Sequence, residues 1–208
     1  MANNLDTTGF NSPLGYNSPS FGIGIQQDSG KSIALQLNGK IIMAGTVVNN
    51  LGESVVGLIR FNTNGSIDTS FGSSGFVIGP PLYASPPSTN LGTVNVADVT
   101  LDLLGNIYVT GTLYTTIQII FVIKYSSTGT LDTSFGSPYG YIVIVPSNFG
   151  GIYTNCTANS IQIDTTLNKV VVVGNVTINT ILPSRIGLSR YDYSILEKPK
   201  LFKRCLFD

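Results

Sequence analysis

Three columns of recurring polar residues carry most of the chemistry open to this chain. Asp6, Asp68 and Asp132 share one position in three short blocks, Leu5-Asp6-Thr7-Thr8, Ile67-Asp68-Thr69-Ser70 and Leu131-Asp132-Thr133-Ser134. Arg60, Lys124 and Arg190 form a second column, each followed by an aromatic residue. Gln36, Asp102 and Asp164 form a third. A ring of equivalent carboxylates could hold a cation. A basic column could contact a phosphate or a glycan. Two carboxylates in adjacent units could act as the acid and base of glycoside hydrolysis. Each has a plainer alternative. Asp at a turn accepts backbone N–H bonds, and recurrence in every copy favours that role, because a site usually breaks the symmetry. The cations pair within or between units, with those same aspartates as candidate partners. The third column flanks a hairpin turn, where polar residues are expected. A structural role is expected for Asp6, Asp68 and Asp132, for Arg60, Lys124 and Arg190, and for Phe71 and Phe135, which follow two of the Asp blocks. No catalytic, cofactor-binding or metal-binding residue is assigned.

Composition narrows the chemistry further. The 208 residues contain no histidine, which removes His acid–base chemistry, His metal sites and Ser-His-Asp triads. Two cysteines, Cys156 and Cys205, are too few for a disulfide framework or a four-thiolate zinc site. Free thiols are expected, with a mutual disulfide as the alternative. The carboxylates are too scattered for a dense oxygen site. Eleven basic and eleven acidic residues cancel, which argues against nucleic acid as a partner. Charged residues make up 11% and apolar residues 42% of the chain, so it is weakly charged yet able to form a core. Asn64-Gly65-Ser66, Asn155-Cys156-Thr157 and Asn175-Val176-Thr177 match glycosylation sequons, as chance allows in a chain rich in Asn, Ser and Thr. Phe21-Gly22-Ile23-Gly24 precedes no helical pattern and is no nucleotide loop.

The elements that must position these columns also repeat. The last two Asp-Thr-Ser blocks both continue as Phe-Gly, at Phe71-Gly72 and Phe135-Gly136. Ser32 through Thr46 aligns without gaps on Asp98 through Thr112. A third copy runs from Ser160 to Gly174 with one residue inserted at the turn. Gly57-Leu58-Ile59-Arg60-Phe61 matches Phe121-Val122-Ile123-Lys124-Tyr125 and Gly187-Leu188-Ser189-Arg190-Tyr191. Three blocks keep one order through three copies, with repeats at about 5–66, 67–130 and 131–195 forming one domain. The tail, 196–208, is basic and reads as an interaction tail or a degraded fourth repeat start.

Each repeat reads as four short strands. In the second repeat these are 75–79, 96–102, 106–112 and 118–125, with 75–79 as the first. Asn38-Gly39 and Leu104-Gly105 are expected to form two-residue hairpin turns. Val, Ile, Tyr, Phe and Thr dominate the strands, and no stretch has helical periodicity. Ile41-Ile42-Met43-Ala44 and Val170-Val171-Val172-Val173 hardly alternate, as in strands buried on both faces. Four-stranded antiparallel units of about 60–65 residues, stacked face to face, describe an all-β protein built of β-propeller blades. A β-sandwich is the alternative.

The blocks Ile67-Asp68-Thr69-Ser70-Phe71-Gly72, Leu37-Asn38-Gly39-Lys40-Ile41 and Leu58-Ile59-Arg60-Phe61-Asn62 resemble the delta-60 repeat of β-propeller proteins. The resemblance spans about residues 5–195 and implies propeller blades with no assigned activity. Such repeats occur in bacterial surface proteins and large DNA viruses. The chain departs in having three copies and an irregular first strand region, Asn11-Ser12-Pro13-Leu14-Gly15.

Three functions compete. A non-enzymatic structural or interaction protein, such as a virion or surface-assembly component, fits the stacked repeats and low charge. A glycan- or peptide-binding module would use a propeller face or the loop at 80–92, with Tyr83, Tyr114 and Tyr153 stacking on the ligand. A carboxylate hydrolase is the third. Three blades are too few to close a ring, so self-association or a protein partner is expected to cover the open blade ends. No signal peptide or membrane span is read, which favours a virion or cytosolic location over classical secretion.

Overall fold

The computed structural model describes residues 5–22, 28–84, 91–149, 154–177 and 185–192. The chain is all-β, with three antiparallel sheets. Sheet I orders β1 (Ser29–Leu35), β2 (Ile41–Val48), β3 (Ser54–Phe61) and β4 (Phe76–Ile78). Sheet II orders β5 (Thr93–Leu101), β6 (Ile107–Tyr114), β7 (Gln118–Tyr125) and β8 (Tyr141–Ile144). Sheet III holds β9 (Asn155–Asp164), β10 (Lys169–Thr177) and β11 (Arg185–Asp192). Among the described residues, helix-type hydrogen bonding is confined to two short segments, Gly136–Gly140, whose backbone is non-helical at Ser137 and Pro138, and Pro146–Phe149.

The sheets stack in chain order with sheet II in the middle. β5 lies against β1, β2 and β3, and β9 lies against β5, β6 and β7. Burial follows from that order. In β6 every residue but the last is buried, and in β7 every residue but the first, because sheet II is covered on both faces. β1 and β10 alternate, because the inner part of sheet I and the whole of sheet III are each covered on one face, whereas β3, with residues 5–22 over its other face, is buried almost throughout. Ile42, Ala44, Val56 and Leu58 meet Val96, Val109, Phe121 and Ile123 in the first junction. Tyr108, Ile120 and Val122 meet Ile161, Val170 and Val172 in the second.

The sheets run one strand out of phase with the sequence repeats. Residues 75–79, read as the opening strand of a repeat, hold β4, which closes the preceding sheet by pairing Phe76 with Ile59 and Val77 with Leu58. The repeat boundaries near 67 and 131 therefore cut sheets I and II between their third and fourth strands. The cause is the Asp block, a turn too tight to cross to the next sheet, so the chain folds back on β3. Sheet III has three strands among the described residues instead of the expected four.

The hairpins also differ from expectation. Gln36 N–H donates to Lys40 O while Gly39 N–H donates to Gln36 O, so three residues, Leu37-Asn38-Gly39, form the loop. Asp102–Asn106, Asn62–Ser66 and Ser126–Thr130 repeat this pattern. Gly39, Gly65, Gly105 and Gly129 take φ of 78°, 78°, 78° and 91°, the left-handed residue of a type I turn with a bulge, a loop that matches strand twist.

Another recurrent glycine has a steric cause. The inner strand of each sheet bulges, and Gly45, Gly111 or Gly174 lies opposite. A Cβ there would run into the carbonyl oxygen of Ser29, Asn95 or Thr157 respectively. Gly111→Ala is expected to cost about 1–3 kcal/mol, the range for overpacking, read as a lower urea midpoint.

Candidate functional site

The Asp and basic columns meet beside the outer strands. The Asp block follows β3 by a tight return: Asp68 N–H donates to Arg60 O, and Phe71 N–H to Asp68 O. This aims the carboxylate back at the strand. Asp68 Oδ2 accepts from Arg60 Nε at 2.6 Å and from Lys40 Nζ at 2.7 Å. Asp68 Oδ1 accepts from Ser70 N–H at 3.1 Å and Ser70 Oγ at 2.7 Å. Burial pushes this carboxyl up, but the Lys40, Ser70 and Arg60 donors outweigh it and hold it well below the usual carboxylate range.

Asp132 repeats the arrangement with one cation. Its Oδ2 accepts from Lys124 Nζ at 2.7 Å, and its Oδ1 from Ser134 N–H and Oγ. Burial raises its carboxyl, and Lys124 and Ser134 bring it below the ordinary value. Asp6 caps its own turn, accepting from Gly9 N–H at 2.7 Å and from Thr8, and those bonds lower its carboxyl. Arg190 has its backbone in β11 opposite Val171, and its side chain lies outside the described residues. With several donors already on each carboxylate, Asp68 and Asp132 work as turn caps and ion-pair partners.

The same blocks hold adjacent sheets together. Arg60 Nη1 donates to Ser127 O at 2.9 Å, and Gly72 N–H donates to Thr128 O at 3.0 Å, both in the turn after β7. The Phe71 ring packs on Gly129 and under the Arg60 guanidinium, 4.7 Å from the centroid. One repeat earlier, Asn11 N–H donates to Asn64 O and the Phe10 ring packs on Gly65. Phe135 packs edge-on to Tyr108 at 5.9 Å in the second junction.

Sequence reasoning overlooked Asp98, at the β5 bulge. Ser32 Oγ of sheet I donates to it at 2.7 Å, and Ser160 Oγ of sheet III at 2.6 Å. Ile161 N–H of sheet III adds a bond at 3.0 Å. One carboxylate thus ties the innermost strands of all three sheets. Burial raises its carboxyl, and the serine hydroxyls and backbone N–H groups lower it further than that. The available signal was an acid standing where the aligned repeats carry Ser32 and Ser160. Asp98→Asn turns one acceptor into a donor and leaves a donor facing a donor. It is expected to cost about 1–3 kcal/mol in denaturant unfolding at neutral pH. Because the folded carboxyl is depressed, this stabilisation is present above the ordinary carboxylate pKa and fades as pH falls.

The remaining candidates are not brought together. Asp102 Oδ1 caps its hairpin through Leu104 and Asn106 N–H, and Asp164 Oδ1 caps the next through Thr166 and Leu167 N–H. Tyr83 is half-buried with its N–H on the Tyr141 hydroxyl, Tyr114 is exposed at the end of β6, and Tyr153 lies outside the described residues. Cys156 is a free thiol pushed up to about 11 by burial, and Cys205 lies outside the described residues, as does the 196–208 tail. Among the described residues, no three His, Cys, Asp or Glu form a metal-ligand group, and no helix is long and apolar enough to cross a membrane.

Among the described residues, apolar side chains are exposed at both ends of the stack. On the open face of sheet I, Ile33 and Leu35 are 62% and 68% exposed, while the aligned Val99 of sheet II is 5% exposed. On the open face of sheet III, Ile186 and Leu188 are 78% and 45% exposed, against 2% and 0% for Ile120 and Val122. The outer half of the sheet I face is covered by residues 5–22. Phe21 packs where Gly57 lacks a side chain and stacks edge-on to Phe76 at 5.2 Å.

The family described as "Domain of unknown function (DUF5122) beta-propeller" matches residues 36–71. That segment runs from the first hairpin through β3 to Phe71, and includes Gly45, Arg60 and Asp68. The match supports a propeller-repeat family. No curated protein matches the chain.

Proposed function

We propose that this chain is a non-enzymatic structural and interaction protein built of delta-60-like propeller blades, working within a larger protein assembly of the virion or surface type. The observation that carries this reading is the pair of open apolar sheet faces. Their aligned counterparts are buried at both internal junctions, so the sequence is written for blade contact on those faces too. Contiguous exposed apolar surface marks an interaction site. The recurrent charges support it from the other side: Asp68, Asp132, Arg60 and Lys124 are engaged in holding turns and sheets together.

Light scattering at micromolar concentration tests the reading. The expected mass lies above that of the 22.1 kDa chain. Ile33→Lys and Leu188→Lys are expected to shift it towards the monomer with the β-sheet circular dichroism kept. A soluble wild-type monomer over the whole range would overturn the reading.

A further inference from the structure

Sheets I and II each end in a short outer strand that follows an Asp block. The turn into β4 has left-handed residues at Gly72 and Gly75, and the turn into β8 has them at Gly136 and Gly140. The first block builds the same turn, with Asn11 at φ 43° and Gly15 at φ 73°. It leads into Tyr16-Asn17-Ser18, which pairs with no strand among the described residues. Tyr16 is 51% exposed where its counterpart Tyr141, at the head of β8, is 5% exposed. Sheet III has the complementary lack: among the described residues nothing pairs with the outer edge of β11.

We propose that two copies of this chain close into one six-bladed ring, in which Tyr16–Ser18 of each copy adds to β11 of the other as its fourth strand. This rests on the reading that protein covers the open faces, and it names the partner. Within one chain the donor and acceptor cannot meet. Residues 5–22 are bonded to Asn64, Gly65 and Asp28 around sheet I, and sheet II separates sheet I from sheet III. Between copies they meet naturally. Val171, Val173, Ile186 and Leu188 on sheet III align with Ile42, Ala44, Val56 and Leu58, which bury sheet I against sheet II. Ile33, Leu35 and Met43 align with Val99, Leu101 and Val109, which receive them from the other side. Sheet III of one copy on sheet I of another therefore repeats the I–II junction. A two-fold axis makes that junction twice and leaves no open face, and six blades fall within the usual four to eight.

The register follows from β4, where Phe76, Val77 and Ile78 face Ile59, Leu58 and Gly57. By the block alignment Tyr16, Asn17 and Ser18 then face Ser189, Leu188 and Gly187 of the other copy. Facing residues of an antiparallel pair have Cα atoms about 4.5–5.5 Å apart, within the span a disulfide accepts. The test places Asn17→Cys and Leu188→Cys in a Cys205→Ser background, with mild oxidation at micromolar concentration. Expected is a covalent dimer of about 44 kDa, twice the 22.1 kDa chain. Each single variant should remain a non-covalent dimer, and refolding the two singles together should give cross-linked dimer in about half of the molecules. A cross-link within a monomer would overturn the proposal, as would a ladder of higher oligomers. Dimers that resist cross-linking would overturn the strand exchange and leave the interaction reading intact. A monomer in light scattering would overturn both.

Discussion

Asp68→Ala is expected to destabilise the fold by about 3–5 kcal/mol, the range for removing one partner of a buried ion pair. The Arg60 and Asp68 side chains are only 9% and 7% exposed, so the substitution strands a guanidinium where water cannot replace the carboxylate. Lys40, 28% exposed, loses its partner as well but can turn to solvent. Asp132→Ala should cost less, because Asp132 is 26% exposed and holds Lys124 alone. The pH dependence has a fixed sign. The folded Asp68 carboxyl is depressed, so its contribution is complete above the ordinary carboxylate pKa and is lost as pH falls through the folded value. Urea midpoints of wild type and Asp68→Ala should differ most near pH 7 and converge in acid. Equal midpoints at pH 7 would mean that Arg60 has another adequate acceptor.

The fold was legible where the sequence repeats, because a repeat puts the same side chains under the same constraint several times. The β7 limits, 118–125, were readable from their apolar run and turn residues. The assignment of 75–79 to its sheet was not. Strand pairing depends on where the Asp-block turn sends the chain, and the residues of β4 look alike whichever neighbour they join. The hairpin length was misjudged for a related reason: Asn-Gly suits both two- and three-residue loops, and the bond from Gly39 to Gln36 decides between them. Asp98 escaped notice because its partners, Ser32 and Ser160, lie 66 and 62 residues away, and only stacking brings three inner strands together. Lys40 escaped because the alignment gave its column no constant charge; Asn106 stands there in the next repeat. The correspondence of Tyr16–Ser18 with the residues of β4 became visible only once the phase of the sheets was known.

Phe71→Ala is expected to cost about 3–5 kcal/mol, the range for deleting a buried aromatic ring. For a chain of this size that corresponds to a fall in melting temperature of roughly 6–20 °C. The ring is fully buried and belongs to the first junction: its own turn carries it from sheet I, and it rests on Gly129 in the turn that follows β7 of sheet II. Its loss opens a cavity at that contact and removes the face over which the Arg60 guanidinium lies. Phe71→Leu should recover most of the apolar part and none of the cation–ring part, so its midpoint should fall between wild type and Phe71→Ala. Phe135, 6% exposed, holds the aligned place at the second junction against Tyr108, and Phe135→Ala should lower stability in the same sense. The two losses should add when combined, because the rings belong to separate core clusters. An unchanged melting temperature for Phe71→Ala would show that Arg60 and Gly72 hold the junction through their hydrogen bonds to Ser127 and Thr128 alone.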